Sequence, residues 1–500
     1  MLRERLVDRW MTAEEAASWI RPGMTVAVSG FARAGEARAV LGTWVALQDQ
    51  LGEKGQIDLL TGASMSDPVD GELARRGLLH KRAPFQANSD LRAAINRGEV
   101  LFVDEHLSHM RESFEDGVWR RPDIAILDAV DVREEGIVPT TSVGNAALFA
   151  KLAEKVIIEW NQGQPPALIG MHDIYDPGPW GHREPIPLTR PEQRIGTPVI
   201  PVDWSKVVAV VKTDSPDRHA PMKSGDAQTE GIAGHLMEFF AHEVRKGRLP
   251  LPLPPLQAGI GAVANAVFQS FLDVPWSGLT VYSEVIQDSM FDLFDSGQLS
   301  FASASAIILS KEKAPQVMGE LNRYRDRILL RPQDISNNPG IIRRLGVVAI
   351  NTGLEVDIYG NVNSTHVLGS NIMNGVGGSG DFSRHARLSV FVARSAVKGG
   401  AISSIVPMVS HTDHTEHEVD VVVTEHGLAD LRGLAPRERA PLIIEHCADP
   451  AYRDELREYY KEALKRGGHT PHVLERAFSF HQRFLEHGSM QVRSQSVGRC

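Results

Sequence analysis

The stretch Leu279-Thr280-Val281-Tyr282-Ser283-Glu284-Val285-Ile286-Gln287-Asp288 decides how we interpret this sequence. Leu279 to Tyr282 is apolar and rich in strand-forming residues, which predicts a buried strand. Asp288 to Leu293 is predicted to begin a helix. Ligands of open α/β sheets bind at the ends of strands, so Glu284 is placed where a reactive group would lie. Spacing alone leaves two roles open, a hydrogen-bonded structural acid or a reactive carboxylate.

The rest of the chain alternates strand-like and helix-like segments, which predicts βαβ units on parallel sheets. Thr12 and Glu15 form a capping box for a helix through Ile20. The Pro-rich segment 166–199 is predicted to be loop, and Leu249 to Pro255 an extended segment held against a surface. The pattern predicts strands at Thr25–Ser29, Ile57–Leu60, Val100–Val103, Ile124–Leu127, Val156–Glu159 and Val207–Val211. It predicts helices at Glu36–Leu51, Asp90–Asn96, Ala146–Leu152, Thr229–Arg245, Tyr452–Lys465 and Pro471–Leu485.

The length of 500 residues predicts two domains, because one hydrophobic core rarely supports so long a chain. We place them at residues 1–224 and 225–500. The second half repeats patterns of the first: Leu59–Ser64 parallels Thr280–Glu284, and Lys155–Asn161 parallels Asp420–Gly427. Two similar α/β domains explain this repetition, and a coincidence between generic buried strands is the alternative.

Composition and charge exclude some classes of partner. The net charge is −10, which argues against nucleic acid because phosphate binding needs a basic face. An anionic small ligand is not excluded. The two cysteines, Cys447 and Cys500, provide no disulfide framework. Met1 to Trp19 lacks the apolar core of a signal peptide, and no run approaches the roughly 18 apolar residues of a membrane span. We therefore expect a cytoplasmic protein without a membrane partner.

Three motifs in this chain are specific when they occur together. They are QAGIGAVANA at 257–266, SEVIQD at 283–288 and NGVGGSGDF at 374–382. With them the chain resembles the acetyl-CoA hydrolase/transferase branch of the class I CoA-transferases, from about Pro22 to Gln482. The resemblance implies two similar open α/β domains, with mostly parallel sheets and flanking helices, and a homodimer.

The resemblance implies that Glu284 is the nucleophile that carries CoA as a thioester. A desolvated carboxylate can attack a thioester to give a mixed anhydride, which the CoA thiolate then converts into glutamyl-CoA. The implied substrates are succinyl-CoA or acetyl-CoA and acetate or succinate, with CoA as substrate and covalent intermediate and no permanently bound cofactor. A hydrolase that uses the same glutamate is one alternative. A ligand-sensing protein without turnover is another.

The glycine pair at Gly259 and Gly261 precedes a predicted helix from Ala262 to Leu272. Amides at a helix N-terminus can stabilise an oxyanion, although a mere tight turn is the alternative. The resemblance implies that Ile260 gives one such backbone N–H and that Gly378 lies against the same site. It also implies contacts with CoA at Leu256, Gln257, Ala258, Gly259, Ile260, Asn374, Gly378 and Lys398.

The glycine-rich run from Gly375 to Gly380 invites a dinucleotide-binding interpretation, but such a run alone is weak evidence. No clean strand precedes it, and Asp381 follows too soon to be the ribose-binding acid. A loop around a CoA arm fits better.

Three further polar residues are implied to lie beside Glu284, namely Ser64, Asn337 and Glu425. Glu425 ends an apolar strand, where an unpaired carboxylate would be costly to bury. A hydrogen bond that Glu425 accepts from the backbone or from Arg432 is the alternative.

The spacing of His411, Asp413 and His417 would permit a metal site. The related proteins carry a similar His/Asp-rich loop without metal, and no outlying Cys or HExxH supports one. We therefore expect no metal.

One departure from the family pattern bears on specificity. Acetate-using members have Pro-Phe-Asn-Thr where this chain has Pro84-Phe85-Gln86-Ala87. If that segment lines the carboxylate pocket, loss of the hydroxyl changes or relaxes the choice of acceptor. Residues 163–181 are the poorest match.

Overall fold

The computed structural model describes residues 6–51, 55–221 and 225–492, with the side chains of 49–51 excluded. Among these residues, nine strands form a sheet in the first half of the chain. The strands are β1 (Thr25–Val28), β2 (Ile57–Leu60), β3 (Leu79–Ala83), β4 (Leu101–Phe102), β5 (Ile124–Arg133), β6 (Gly136–Pro139), β7 (Lys155–Asn161), β8 (Ile200–Pro201) and β9 (Val207–Thr213).

The strands of the second half begin after residue 255. They are β10 (Leu256–Ala258), β11 (Leu279–Tyr282), β12 (Val285–Ile286), β13 (Leu299–Ala304), β14 (Ala306–Ile307), β15 (Ile328–Leu330), β16 (Val348–Thr352), β17 (Glu355–Asp357), β18 (Val362–Asn363), β19 (His366–Val367), β20 (Asn371–Ile372), β21 (Leu388–Val392), β22 (Ala396–Val397), β23 (Ile402–Ser403), β24 (Ile405–Val406), β25 (Val421–Thr424) and β26 (Gly427–Asp430). Eight of these described strands form the second large sheet, in the order β15-β13-β11-β10-β16-β21-β25-β26.

The two large sheets have the same strand order. In the first, the parallel strands run β4-β3-β2-β1-β5-β7-β9, and β6 and β8 add an antiparallel extension. In the second, β10 takes the place of β1 and β11 that of β2, and β26 is the antiparallel edge. Strands β1 and β25 are buried along their whole length, as expected for parallel sheets that are covered on both faces.

The repeat confirms one predicted correspondence and corrects another. Leu59–Ser64 and Thr280–Glu284 occupy equivalent positions, because they contain the ends of β2 and β11. The equivalent of β7 is β21, so the pairing of Lys155–Asn161 with Asp420–Gly427 was wrong by one strand. Buried valine-rich strands resemble one another in sequence, and only their order in the sheet separates them.

The helices flank both sheets. They are α1 (Ala13–Ala17), α2 (Ala39–Leu51), α3 (Glu72–Arg75), α4 (Ser89–Asn96), α5 (Met110–Glu115), α6 (Ala146–Leu152), α7 (Ala227–Arg245), α8 (Ala262–Ser270), α9 (Asp288–Asp295), α10 (Ala314–Gly319), α11 (Gln333–Ser336), α12 (Pro339–Leu345), α13 (Ser379–His385), α14 (Pro436–Cys447), α15 (Pro450–Arg466) and α16 (Ser479–His487). Within the described ranges, none of them combines the length and the apolar character that a membrane crossing requires.

Most predicted elements are present, with shifted ends. Thr12 caps α1 through a complete capping box, but the helix ends at Ala17. Helix α2 begins at Ala39 and not at Glu36, which lies before the helix, is buried and accepts a hydrogen bond from the Ser66 N–H. Residues 471–478 are not α-helical, since their backbone binds tyrosine side chains. In the Pro-rich segment Leu249 and Leu253 are buried and Leu251 is exposed.

The domain limits at 1–224 and 225–500 remain a prediction. The limit adjoins residues 222–224, which lie outside the described residues. The first large sheet is complete by Thr213, and the second begins at Leu256.

Candidate active site

A cavity of about 530 Å³ lies where the two halves of the chain meet. The ends of β1 and β2 contribute residues from the first half, including Ser64. The ends of β10 and β11 contribute Gly259, Ile260 and Glu284, and the glycine-rich loop contributes Asn374 to Ser379. We call this space the Glu284 cavity. Six of the twelve residues that the sequence predicted for the site line it, namely Ser64, Gly259, Ile260, Glu284, Asn374 and Gly378.

Glu284 lies at a break between two strand segments. Strand β11 ends at Tyr282, and β12 leaves the large sheet to pair with β14. The Glu284 carbonyl accepts hydrogen bonds from the backbone N–H groups of Ser305 and Ala306, at 2.9 and 3.1 Å. The backbone is therefore fixed on both sides of the residue, and the side chain is held at the carboxyl end of a central strand.

The Glu284 carboxylate is buried, with 8% of the residue exposed. Its Oε2 accepts a hydrogen bond of 3.1 Å from the Gln257 amide, which also reaches Asn351 Oδ1 at 3.3 Å. Burial raises the pKa of Glu284 to about 7, against the opposing effect of hydrogen bonds from Gln257 and Asn337. A carboxylate with a raised pKa and little hydration is a stronger nucleophile than one in water.

Gly378 and Asn337 enclose the other side of this carboxylate. A Cβ atom at position 378 would lie 1.9 Å from Glu284 Oε1 and 2.4 Å from Asn337 Nδ2. Glycine is therefore required here by space, since its φ of −91° suits any residue. Asn337 follows α11, and the Tyr282 hydroxyl donates a hydrogen bond of 2.6 Å to the Ile335 carbonyl in that helix. Strand β11 thus positions both partners.

Asp381 is a second buried carboxyl that the sequence analysis did not assign to the site. Its Oδ2 accepts hydrogen bonds from Asn337 Nδ2 at 3.3 Å and from the Ser108 N–H at 3.1 Å, and its Oδ1 accepts one from Ser108 Oγ at 2.6 Å. Burial raises the pKa of Asp381 to about 7, and the charge of Glu284 raises it further. Asn337 therefore connects two carboxyl groups whose negative charges repel each other.

The sequence carried one signal for Asp381, its position directly after the glycine-rich run. The pattern gave no reason to pair it with Ser108, which is far away in the chain and belongs to the first half.

The turn after β10 presents a free backbone amide. Within the described residues the Ile260 N–H makes no hydrogen bond to the chain, and Ile260 lines the Glu284 cavity with 56% of its surface exposed. Gly261 precedes α8 with a φ of 139°, a conformation that favours glycine. The Gln287 amide holds the turn by donating a hydrogen bond of 3.0 Å to the Gly259 carbonyl.

Residues of the first half hold the glycine-rich loop in place. Both oxygens of Asp104 accept hydrogen bonds from the Val376 N–H, at 2.8 and 2.9 Å. Gln86 is fully buried and donates to the Asn374 carbonyl at 3.1 Å, while Arg92 donates to Asn374 Oδ1 at 3.1 Å. The predicted segment 84–87 thus contacts the loop, and Phe85 and Ala87 line the cavity.

The structure does not bring Glu425 or Lys398 to Glu284. Three strands separate β11 from β25, which places Glu425 about 19 Å across the sheet at the usual strand spacing. Glu425 instead accepts hydrogen bonds from Ser395 and Gln228, and Arg432 pairs with Asp430 and Glu243. Lys398 lies in the exposed turn between β22 and β23, with its ammonium 5.2 Å from the Phe484 ring.

Leu256 and Ala258 also lie outside the cavity lining. Their side chains are fully buried in the hydrophobic core, as alternate residues of β10 on one face of the sheet. Gln257 points to the opposite face and reaches Glu284.

The buried residues of the histidine-rich segment form hydrogen bonds with serine and threonine side chains outside it. Within the described part of the chain, no group of three or more His, Cys, Asp or Glu side chains is arranged to hold a metal ion. His414 lies between Ser364, Ser379 and Ser383, and burial lowers its pKa to about 4. Asp413 binds Ser364 and Thr365.

Comparison with known proteins identifies the family. The acetyl-CoA hydrolase/transferase N-terminal domain matches residues 3–212, and the C-terminal domain of the same name matches residues 315–460. The succinyl-CoA:acetate CoA-transferase of Clostridium kluyveri is 47% identical over 97% of this chain and 91% of the relative. The propanoyl-CoA:succinate CoA transferase of Escherichia coli is 43% identical over 96% and 98%. The acetyl-CoA hydrolase of Candida glabrata is 42% identical over 99% and 98%.

Solved structures share the fold at low sequence identity. RipA from Yersinia pestis matches with a TM-score of 0.72 and 22% identity, covering 92% of this chain and 99% of RipA. The 4-hydroxybutyrate CoA-transferase of Porphyromonas gingivalis matches with a TM-score of 0.64 and 22% identity, covering 93% and 100%. The fold is that of the class I CoA-transferases. With both domain families matched and relatives above 40% identity along nearly its whole length, this chain belongs to the acetyl-CoA hydrolase/transferase family of enzymes.

Proposed function

We propose that this protein is a CoA-transferase that moves CoA between a short acyl-CoA and a carboxylic acid through a thioester on Glu284. The observation that carries the proposal is the Glu284 carboxylate itself. It is buried at a strand end, it opens into a cavity of about 530 Å³, and burial raises its pKa to about 7. The donors and acceptors we favour are succinyl-CoA or acetyl-CoA and acetate or succinate.

The first half of the reaction transfers the acyl group and then CoA to the enzyme. A Glu284 oxygen attacks the thioester carbonyl, and the C–S bond breaks to release CoA thiolate and leave an acyl-glutamyl anhydride. The thiolate attacks the glutamyl carbonyl, the original carboxylic acid departs as its anion, and glutamyl-CoA remains. The acceptor carboxylate reverses these two steps. Each exchange replaces one activated acyl bond with another, so no ATP and no permanent cofactor are required.

Each attack produces an oxyanion that needs donors fixed in advance. The Ile260 N–H is free and lines the same cavity as Glu284, which supports a role for it as one donor. Asn337 Nδ2 lies on the opposite side, where the absence of a side chain at Gly378 admits both groups. Gln257 holds the glutamate in place from β10. Ser64 lines the cavity at the equivalent strand end of the first half.

A hydrolase that uses the same glutamate is the second candidate. The observation in its favour is the 42% identity to a protein named acetyl-CoA hydrolase. Water would then replace the acceptor acid at the glutamyl thioester. Adding acetate or succinate separates the two activities, because a transferase forms a new acyl-CoA and a hydrolase only releases free CoA.

Mass analysis after mixing with acetyl-CoA tests the proposal. We expect an adduct of CoA on the intact protein, which maps to the peptide containing Glu284 and disappears when acetate is added in excess. Glu284→Gln keeps the shape of the side chain and should form no adduct. Glu36→Gln is the matched control, since Glu36 is also buried with a pKa raised to about 7 but lies outside the cavity lining.

An adduct that maps outside residues 279–293 contradicts the assignment of Glu284. CoA binding without any adduct or turnover would favour the ligand-sensing alternative.

We also propose a homodimer and a cytoplasmic location. The dimer rests on the family resemblance, and the location on the two cysteines, of which Cys447 is a buried free thiol and Cys500 lies outside the described residues. Sedimentation of the purified protein measures the oligomeric state, and a monomer at micromolar concentration would contradict the dimer.

A further inference from the structure

Arg33 lines the Glu284 cavity and is a cation without a partner among the residues that the structure describes. It is half-buried and lines the cavity, and its guanidinium makes no hydrogen bond or ion pair with any described residue. Arg218 lines the same cavity but differs in two ways. It is exposed, and its charge helps to lower the pKa of Asp67, so it already has an acidic neighbour. A half-buried guanidinium loses part of its hydration, and charge-assisted hydrogen bonds to an anionic ligand would compensate for that loss.

The backbone around Arg33 is held in an unfavourable conformation. Ala32 and Arg33 have φ angles of 49° and 78°, a region that non-glycine residues enter at a cost of roughly 1–2 kcal/mol each. Such conformations persist only where surrounding contacts impose them, and they cluster at functional sites.

Several contacts impose this conformation. Phe31 and Ala34 exchange two backbone hydrogen bonds of 2.9 and 3.0 Å across the turn. The Arg33 N–H donates to the Ser64 carbonyl at 3.3 Å, and Ser142 Oγ donates to the Ala34 carbonyl at 2.8 Å. The Gly35 N–H donates to Asp217 at 3.0 Å. These five hydrogen bonds together fix the backbone conformation at residue 33.

The position of this turn relates it to the acyl-transfer site. It follows β1, just as the turn of Ile260 follows β10 in the second sheet. Ser64, whose carbonyl accepts a hydrogen bond from the Arg33 N–H, lies shortly after the end of β2, as Glu284 lies shortly after the end of β11. Arg33 and Glu284 thus enter one cavity from opposite halves of the chain.

We propose that Arg33 binds the distal carboxylate of a dicarboxylic acyl group, which makes it the residue that selects succinyl-like over uncharged acyl groups. This inference rests on the proposed function of Glu284. An acetyl or propionyl group ends in a methyl and leaves the guanidinium unpaired. A succinyl group held at Glu284 by its reacting carbonyl carries a second carboxylate, which forms a charge-assisted hydrogen bond with a guanidinium. The CoA phosphates are a second possible source of the anion.

The test compares two acceptors that differ only in the distal charge, succinate and butyrate, with acetyl-CoA as donor. In Arg33→Met, we expect kcat/KM for succinate to fall about 10- to 100-fold, as for loss of a hydrogen bond to a charged group. The value for butyrate should change less than about threefold. Arg33→Lys should retain part of the succinate activity. Arg121→Met, an exposed arginine outside the cavity, is the control for loss of a surface charge.

Three kinetic outcomes overturn the inference. An equal loss for succinate and butyrate, with a higher KM for acetyl-CoA, assigns Arg33 to the CoA phosphates. If kcat/KM in Arg33→Met is unchanged for both acids, Arg33 has no part in recognition. A parent enzyme that transfers CoA to acetate and butyrate but not to succinate also overturns it.

A binding measurement separates this inference from the proposed function. Calorimetric titration of the unreacted protein with succinate and with butyrate needs no turnover. We expect tighter binding of succinate by the parent protein, lost in Arg33→Met. If the parent forms no Glu284 adduct but shows this preference, the proposed function fails and the anion site stands. If the adduct forms and the preference is absent, the inference about Arg33 fails and the proposed function stands.

Discussion

A Cβ atom at Gly378 would lie 1.9 Å from Oε1 of Glu284, so the peptide at position 378 packs directly against the carboxylate. No flexible side chain stands between them that could move aside. The two residues come from motifs almost a hundred positions apart in the chain. Their contact defines one wall of the cavity in which we place the chemistry.

Replacing Gly378 should displace Glu284, the proposed nucleophile. In Gly378→Ala the methyl group overlaps Glu284 and Asn337, and we expect the rate of CoA adduct formation to fall at least about 100-fold, as for misplacement of a reacting group. Gly42→Ala, in helix α2 with no atom within 4 Å of the new methyl, is the control and should keep full activity. The rate is measured by quenching the reaction at several times and determining the fraction of protein that carries the adduct by mass analysis. A Gly378→Ala enzyme with normal rates would show that the contact is not needed.

The pH dependence should report the ionisation of Glu284. Its pKa is raised to about 7, and only the carboxylate attacks, so the reactive fraction grows as pH rises through 7. We expect adduct formation with acetyl-CoA to be about tenfold faster at pH 8 than at pH 6. Neither the thioester nor acetate titrates in this range. A flat rate between pH 6 and 8 would show that Glu284 is already ionised at pH 6.

The same ionisation should lower the free energy of unfolding. Because burial raises the pKa of Glu284 in the folded state, the folded protein holds a proton that the unfolded chain has released between about pH 4.5 and 7. Stability therefore falls as pH rises through this window. Glu284→Gln removes the effect, so its advantage over the parent should grow by on the order of 3 kcal/mol from pH 4.5 to pH 8.

Unfolding midpoints of the parent and Glu284→Gln at several pH values measure this difference. An advantage that stays constant with pH contradicts the raised pKa.

Asp381 should tune Glu284 through its charge. In Asp381→Asn the amide oxygen can still accept from Asn337 and the Ser108 N–H, and the NH₂ can donate to Ser108 Oγ, so the contacts persist without the charge. We expect the midpoint of the pH–rate profile to move down by about 1 unit. Asp104→Asn is the control, because it also removes a carboxylate charge next to the glycine-rich loop, but one that accepts hydrogen bonds from Val376 and not from Asn337. A lower plateau with an unmoved midpoint would indicate a purely structural role for Asp381.

Ala87 should influence the choice of acceptor. It lines the cavity at the position where acetate-using relatives have threonine, so Ala87→Thr adds a methyl and a hydroxyl to the wall. We expect kcat/KM for butyrate to fall about tenfold relative to acetate, since one methylene in a pocket is worth about 1–3 kcal/mol. Kinetics with the two acids as alternative acceptors measure the ratio. An unchanged ratio would place the acyl group away from residue 87.

Local patterns predicted the elements that carry the central motifs. Strand β11 and helix α9 follow from the apolar run and its helical continuation, and the glycines at 259 and 261 predicted the turn before α8. Patterns failed where buried polar contacts decide the structure. Strand β3 contains His80, Lys81 and Arg82 and does not look like a buried strand, yet Arg82 is fully buried because it pairs with Asp70.

The start of helix α2 also could not be predicted from local patterns. The N–H groups of Arg38, Ala39 and Val40 donate to the Glu159 carboxylate, which lies at the end of β7. This cap from a distant strand sets the first residue of the helix, and nothing in residues 36–40 reveals it.

The sequence by itself determined the family and the α/β class and singled out Glu284 as the proposed nucleophile, because the three motifs that carry the resemblance are continuous stretches of the chain. The tertiary structure decided which polar residues accompany Glu284. Glu425 and Glu284 both follow apolar strands, but the order of the strands in the sheet places Glu425 about 19 Å from Glu284. Asp381 and Arg33 join the site only because the two sheets meet there. Contacts between distant segments depend on packing, which no local pattern encodes.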